Sequence, residues 1–247
     1  MTEPTGERLV NRTDRGGVAV VELNRPDRKN AIIPPMLDEL AAVVTSVNDD
    51  PDVRAVLLCG AGGAFCSGLD LTEYNADPPP AWLANSGASV LAAHAALGAC
   101  PHPVVVALER YAINGGAAFA LAGDLIVSGR EAWLQVGEAR LGMNAPMNLA
   151  WLVARYPMAT VLQVALAGER LSGPELHRLG IAHEVVDDSA VRARAEELAA
   201  AIAAFPPGGA RRLKTAALRL AETLPAGDGW FARAAALAPT AAPPPTR

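Results

Sequence analysis

The stretch ERYAINGGAAFALAGD, Glu109 to Asp124, decides how this chain of 247 residues is read. Two adjacent glycines, Gly115 and Gly116, stand between an apolar run at 104–108 that reads as a strand and an alanine-rich run at 117–122 that reads as a short buried helix. Glycine inside a regular element costs roughly 0.5–1 kcal/mol relative to alanine, so a pair of them at such a junction marks a tight turn or a place where something approaches the backbone closely.

Working outward, the same device occurs once more. Residues 53–59 form a second aliphatic run, which opens into GAGGAFCSGLDL, residues 60–71. Amide groups at a helix start lack an intrahelical acceptor and carry the positive end of the helix dipole. Two such turns facing each other would hold a carbonyl oxygen as it gains negative charge, with no side chain involved. The competing reading is that both glycine turns serve close packing of strand against helix.

The rest of the chain supports an α/β fold with crossover connections. Residues 8–13 and 18–23 flank DRGG and read as a hairpin. Apolar residues recur at helical spacing from Pro35 until DDPD at 49–52, a second helix is expected at about 82–97, and short strands at 125–127 and 133–136. Beyond Met147 the pattern is helical apart from 181–186; Ser172 to Glu175 spells a capping box and Gly180 ends that helix. APTAAPPPTR at the end has no patterned apolar face and reads as a mobile tail.

Several chemistries are excluded. A net charge of −5, with no basic cluster beyond Arg211, Arg212 and Lys214, disfavours nucleic acid and anionic membrane as partners. Three cysteines in apolar or glycine-rich surroundings suggest neither a disulfide framework nor a metal site. The N-terminus lacks a secretory pattern and no apolar stretch reaches the ~20 residues of a membrane span, so a cytoplasmic location is expected. Phe65 stands where a dinucleotide fingerprint needs its third glycine, and neither a phosphate-binding P-loop nor a GxSxG elbow is present. His94, His102, His177 and His183 are scattered and read as helix-surface or loop residues.

Taken in order, LNRPDRKNA, GAFCSGLDL, YAINGGAAFALAGD, LQVGEARLGM and LSGPELHRLGIAHEVV resemble the enoyl-CoA hydratase/isomerase family, the crotonase superfamily, from about Val18 to Lys214. The resemblance implies a spiral of ββα units at 1–190, a C-terminal helical trimerisation region at 191–235 and a flexible tail at 236–247. It implies an acyl-CoA thioester as substrate, with coenzyme A carried by the substrate and no separate cofactor, and assembly as a homotrimer or a hexamer of two trimers. The positions matching the oxyanion-binding amides are Leu69 and Gly115, with Gly68 and Gly116 beside them. By the same comparison Arg28, Lys29 and Ala31 lie near the adenosine and phosphate end of coenzyme A, and Ser67, Leu69, Asp70 and Leu71 along the pantetheine and thioester channel. Arg28 and Lys29 read equally as a solvated loop, and Asp70 equally as a turn-fixing residue.

The sequence departs from a hydratase at informative places. Hydratases of the family use two glutamates; the first aligns with Ala118 and is missing, while the second aligns with Glu138 and is present. Val136, Gly137 and Ala139 around Glu138 form an apolar neighbourhood that would raise its pKa toward neutrality. One carboxylate can carry a proton between two carbons of an enolate, so the missing acid shifts weight toward isomerisation. A thioester-binding protein without turnover and a thioester hydrolase are the alternatives. Asn114 replaces the first glycine of the usual triplet and tolerates left-handed backbone. The segment Gly142 to Asn148 reads GMNAPMN, with Pro146 and Asn148 altering the pocket wall, and Glu109 is expected in a salt bridge with Arg110 or another residue.

Overall fold

The computed structural model describes residues 8–222; the expected tail at 236–247 and the end of the helical region at 191–235 lie outside the described residues. Strands β1 (Val10–Arg15) and β2 (Val18–Leu23) form the hairpin, with the first strand running two residues further than expected: Gly16 and Gly17 both take positive φ, 58° and 84°, as a two-residue turn between twisted strands demands. Helix α1 (Pro34–Asn48) buries Met36, Leu37, Leu40, Val44 and Val47, the stripe read from its periodicity. Then come β3 (Ala55–Gly60), the four-residue α2 (Leu71–Tyr74), a tight turn at Ala81–Asn85 and α3 (Ser86–Gly98).

From there the chain steps between two sheets. β4 (Val104–Leu108) enters a six-stranded sheet, β5 (Tyr111–Ile113) a three-stranded one, and α4 (Gly115–Leu121) returns; β6 (Leu125–Gly129) and β7 (Trp133–Gln135) repeat the step. α5 (Pro146–Arg155), α6 (Met158–Ala167), β8 (Arg170–Ser172), α7 (Gly173–Arg178), β9 (Glu184–Val186), α8 (Val191–Ala203) and α9 (Gly209–Glu222) complete the described chain. The large sheet has the order β1-β2-β3-β4-β6-β9, parallel except for the hairpin, and the small one β5-β7-β8. This is the α/β architecture that the sequence implied. β8 is the exception to the helical reading beyond Met147: three residues, antiparallel to β7, too short to show a period of two.

β3 and β4 are buried along their whole length, as parallel strands covered on both faces must be. Val56, Leu58, Val104, Val106 and Leu108 face the larger apolar cluster, shared with α1, α3, α4, α5 and the small sheet, while Ala55, Leu57, Val105 and Ala107 face α8. Capping of α7 follows the expected box, with the Glu175 carboxylate accepting from the Ser172 amide at 2.8 Å, and Gly180 at φ 72° closes the turn beyond it. No described helix is long and apolar enough to cross a membrane.

Candidate active site

Two loops meet where the small sheet approaches the end of β3. Residues 29–32 and 67–70 run side by side: the Ser67 amide donates to Lys29, Ile32 to Gly68 and Asp70 to Ile32, at 2.8–3.1 Å. Asn30, fully buried at φ 53°, holds the glycine-rich loop through its side-chain amide, which donates to the carbonyls of Ala61 and Ala64. On the other side Cys66 pairs with Ala112 of β5. Leu69 therefore sits in an extended segment, not at the helix start expected for it; the cap of α2 is Asp70, whose carboxylate accepts from the Glu73 amide.

Gly68 and Gly116 allow these loops to touch. A Cβ on Gly68 would lie 2.8 Å from the Ile113 carbonyl oxygen, and one on Gly116 2.7 Å from that of Cys66. Gly115 is different, since a Cβ there would meet only the Ile32 side-chain tip, at 3.2 Å. Gly115 is the first residue of α4, where an amide has no intrahelical acceptor. Neither its NH nor that of Leu69 donates to a protein acceptor among the described residues. Both residues line one cavity of about 400 Å³.

The parallel pairing of β5 with β7 brings a third group to the same place. Both strands end on the same side, and the Asn114 amide extends the ladder by donating to Gln135. Asn114 adopts φ 49°, ψ −114°, a conformation that glycine takes more readily, and is held there by its neighbours. Its side-chain oxygen accepts from the Gly137 amide at 2.8 Å, its carbonyl from Asn148 at 3.0 Å. Glu138 follows at the head of a tight turn, Glu138–Leu141, on the cavity wall.

Glu138 is 8% exposed, so it is not the surface residue that a loop glutamate usually is. Burial pushes its pKa up to about 7, against the smaller opposing effects of its own backbone NH and of the Asn148 side-chain amide, which donates to Oε1 at 2.9 Å. Ala118 is fully buried in the apolar core. Glu109 makes no ion pair among the described residues, contrary to expectation, and does not line the cavity.

The histidines divide. His177 and His183 are exposed as read, but His94 and His102 are buried, and His94 lines the cavity. Its ring stacks on Phe119 at 4.6 Å, and Trp151 Nε1 donates to Nδ1 at 3.0 Å. An indole nitrogen only donates, so Nδ1 is unprotonated and the ring is the neutral Nε2–H form. Burial pushes its pKa down to about 3. His94 and the support given by Asn148 were missed because the partners, Phe119, Trp151, Asn114 and Glu138, lie far along the chain or on other elements.

A second depression continues the first, sharing Ser67, Leu69 and Leu71 with it and adding Arg28, Lys29, Ala31 and Asp70. The Asp70 carboxylate is buried; Arg28 contacts it at 2.8 Å and Arg25 at 3.1 Å. Burial pushes its pKa up, but the Arg28 and Arg25 bonds and the Glu73 amide outweigh this and hold it below the usual carboxylate range. Asp70 is thus a turn-fixing residue, and Arg25 a partner that the sequence did not reveal.

The sequence model of the enoyl-CoA hydratase/isomerase family matches residues 13–227, a span that includes Leu69, Gly115 and Glu138. The chain is 35% identical over 213 residues to 1,2-epoxyphenylacetyl-CoA isomerase of Escherichia coli K12, covering 84% of this chain and 80% of that protein. It is 32% identical over 224 residues to (E)-benzylidenesuccinyl-CoA hydratase of Thauera aromatica, covering 86% and 82%. Its fold is similar to that of the enoyl-CoA hydratase crystal structure from Mycobacterium tuberculosis H37Rv, with a TM-score of 0.77 at 28% identity over 92% of this chain and 88% of that one.

Proposed function

This chain belongs to the enoyl-CoA hydratase/isomerase family, and from that premise we propose that it acts on an acyl-CoA thioester through an enolate, with Glu138 as the single proton carrier. The thioester oxygen lies between the Leu69 and Gly115 amides, which are fixed before substrate arrives and need no reorganisation when charge develops. Arg28, Lys29 and Ala31 receive the nucleotide end of coenzyme A, and Ser67, Asp70 and Leu71 border the channel to the reacting carbons.

In the isomerisation of a 3-enoyl thioester, the Glu138 carboxylate takes a proton from C2. The electron pair delocalises onto the thioester oxygen, and the same carboxyl returns the proton to C4, leaving the 2-enoyl thioester and a carboxylate. A pKa of about 7 suits a group that must both accept and release. The observation that carries this reading is the meeting of two internally unpartnered amides and one buried carboxyl on a single cavity. The exposed Met158, Leu162 and Leu166, four residues apart on α6, support the self-association that the family resemblance implies.

Pure protein is incubated with 3-enoyl-CoA, and wild type is compared with Glu138→Gln. The expected result is double-bond migration that falls by roughly 10²–10⁴-fold in the variant, the contribution of a positioned acid–base group. Thioester binding without turnover in the wild type, or migration that survives the substitution, would overturn the proposal.

A further inference from the structure

The cavity has a rim and a floor. Leu69 and Leu141 on its wall are 37% and 51% exposed, whereas Leu37 of α1, His94 of α3 and Phe119 of α4 are each 2% exposed or less. Ser67, Leu69 and Leu71 are shared with the depression at Arg28 and Lys29, and none of the three buried residues is. A thioester whose oxygen lies between the Leu69 and Gly115 amides, with its coenzyme A leaving past Ser67 and Leu71, therefore points its acyl group at Leu37, His94 and Phe119. Val90 lies one helical turn before His94 on the same face of α3 and lines the same cavity.

His94 makes this floor rigid. Its ring lies within 14° of parallel to that of Phe119, at 4.6 Å between centroids, and its Nδ1 accepts from Trp151 Nε1 at 3.0 Å. Turning the imidazole aside would break the stack and the hydrogen bond together. A methionine at the same place would hop between rotamers and make room. The floor is also uncharged: burial pushes the His94 pKa down to about 3, so the ring is neutral at neutral pH, and Leu37, Val90, Phe119 and Met147 beside it are apolar.

We infer that His94, braced by Phe119 and Trp151, is a specificity-determining residue that fixes where the acyl group must end, so that the protein selects thioesters of compact, uncharged acyl groups. A cavity of roughly 150 Å³ accepts one benzene-sized guest. The cavity of about 400 Å³ must also take the thioester and the reacting carbons, which leaves room for a group of that order and not for a long chain. A charge at the end of the acyl group would be desolvated against this floor. The inference rests on the reading of the two amides given above, and adds to it the identity of the acyl group.

The test is calorimetric binding of saturated acyl-CoA thioesters, from butanoyl-CoA to hexadecanoyl-CoA, to wild type, His94→Ala and Val90→Phe. These ligands cannot isomerise, so the chemistry assigned to Glu138 can fail without affecting the result. In wild type the affinity is expected to rise roughly fourfold per buried methylene up to a limiting length and to fall by about 10-fold or more at the first methylene that does not fit. His94→Ala should move that limit to longer chains and Val90→Phe to shorter ones, while glutaryl-CoA binds wild type at least about 10-fold more weakly than pentanoyl-CoA. Wild-type affinity that climbs without a limit to hexadecanoyl-CoA, a limit common to all three proteins, or equal binding of glutaryl-CoA and pentanoyl-CoA would overturn the inference. Should His94→Ala not fold, Val90→Phe decides alone, an unchanged limit contradicting the assignment.

Discussion

Glu138 couples the proposed chemistry to stability, because the burial that raises its pKa to about 7 also opposes its ionisation in the folded state. Its contribution is fully present below its ordinary value of 4.5 and is lost as pH rises through about 7. Replacing it with glutamine, which cannot ionise, is therefore expected to stabilise the protein relative to wild type by an amount that grows between those pH values and levels off above them, on the order of 3 kcal/mol. Denaturant unfolding at several pH values checks this, and a difference independent of pH would contradict it. If Glu138 acts as a base, kcat/KM for isomerisation should rise with pH through the same region. Its apolar surroundings were legible from Val136, Gly137 and Ala139 beside it. Asn114 and Asn148 were visible as departures from the family pattern, but not as its supports, since nothing local in a sequence says that the Asn148 side-chain amide bridges the Asn114 carbonyl and the Glu138 carboxylate.

At the scale of the element, the two glycines that opened the question have separate roles. Gly116 lets α4 start against Cys66, where a Cβ would collide with backbone, so Gly116→Ala is expected to cost about 2 kcal/mol or more of stability. Gly115 is not forced by packing. Gly115→Ala should keep the melting temperature of wild type within a few degrees while lowering kcat/KM, because the added methyl stands beside Ile32 on the cavity wall. Thermal melts of the two variants separate these roles; equal destabilisation would contradict the distinction. The strand, glycine turn and short helix were legible from composition at 104–122. The same reading failed for Leu69, because the glycine-rich run after β3 leads into an extended segment stitched to residues 29–32, a partnership between distant loops that periodicity does not encode.

Across the whole molecule, the last residue of that stretch ties three parts together. Asp124 accepts from the Val104 amide on β4, from Arg155 at the end of α5 and from Lys214 on α9, at 2.6–3.1 Å. Removing it strands two partly buried cations, and Asp124→Ala is expected to cost about 2 kcal/mol and to raise amide hydrogen exchange in α9, where exchange unchanged from wild type would show that α9 docks without it. Parallel strands with crossover helices could be read from long aliphatic runs such as 53–59 and 104–108, whereas β8 and the division into two sheets depend on pairing alone. That division brings the ends of β5 and β7 together and so sets Gly115 near Glu138. The most direct test of this arrangement is the infrared carbonyl stretch of a ¹³C-labelled acyl-CoA thioester bound to Glu138→Gln, which is expected to hold substrate while turning it over far more slowly than wild type. Two amides polarising the thioester predict a band shifted to lower frequency than that of the free thioester in water; a bound thioester absorbing at the free value would contradict the account.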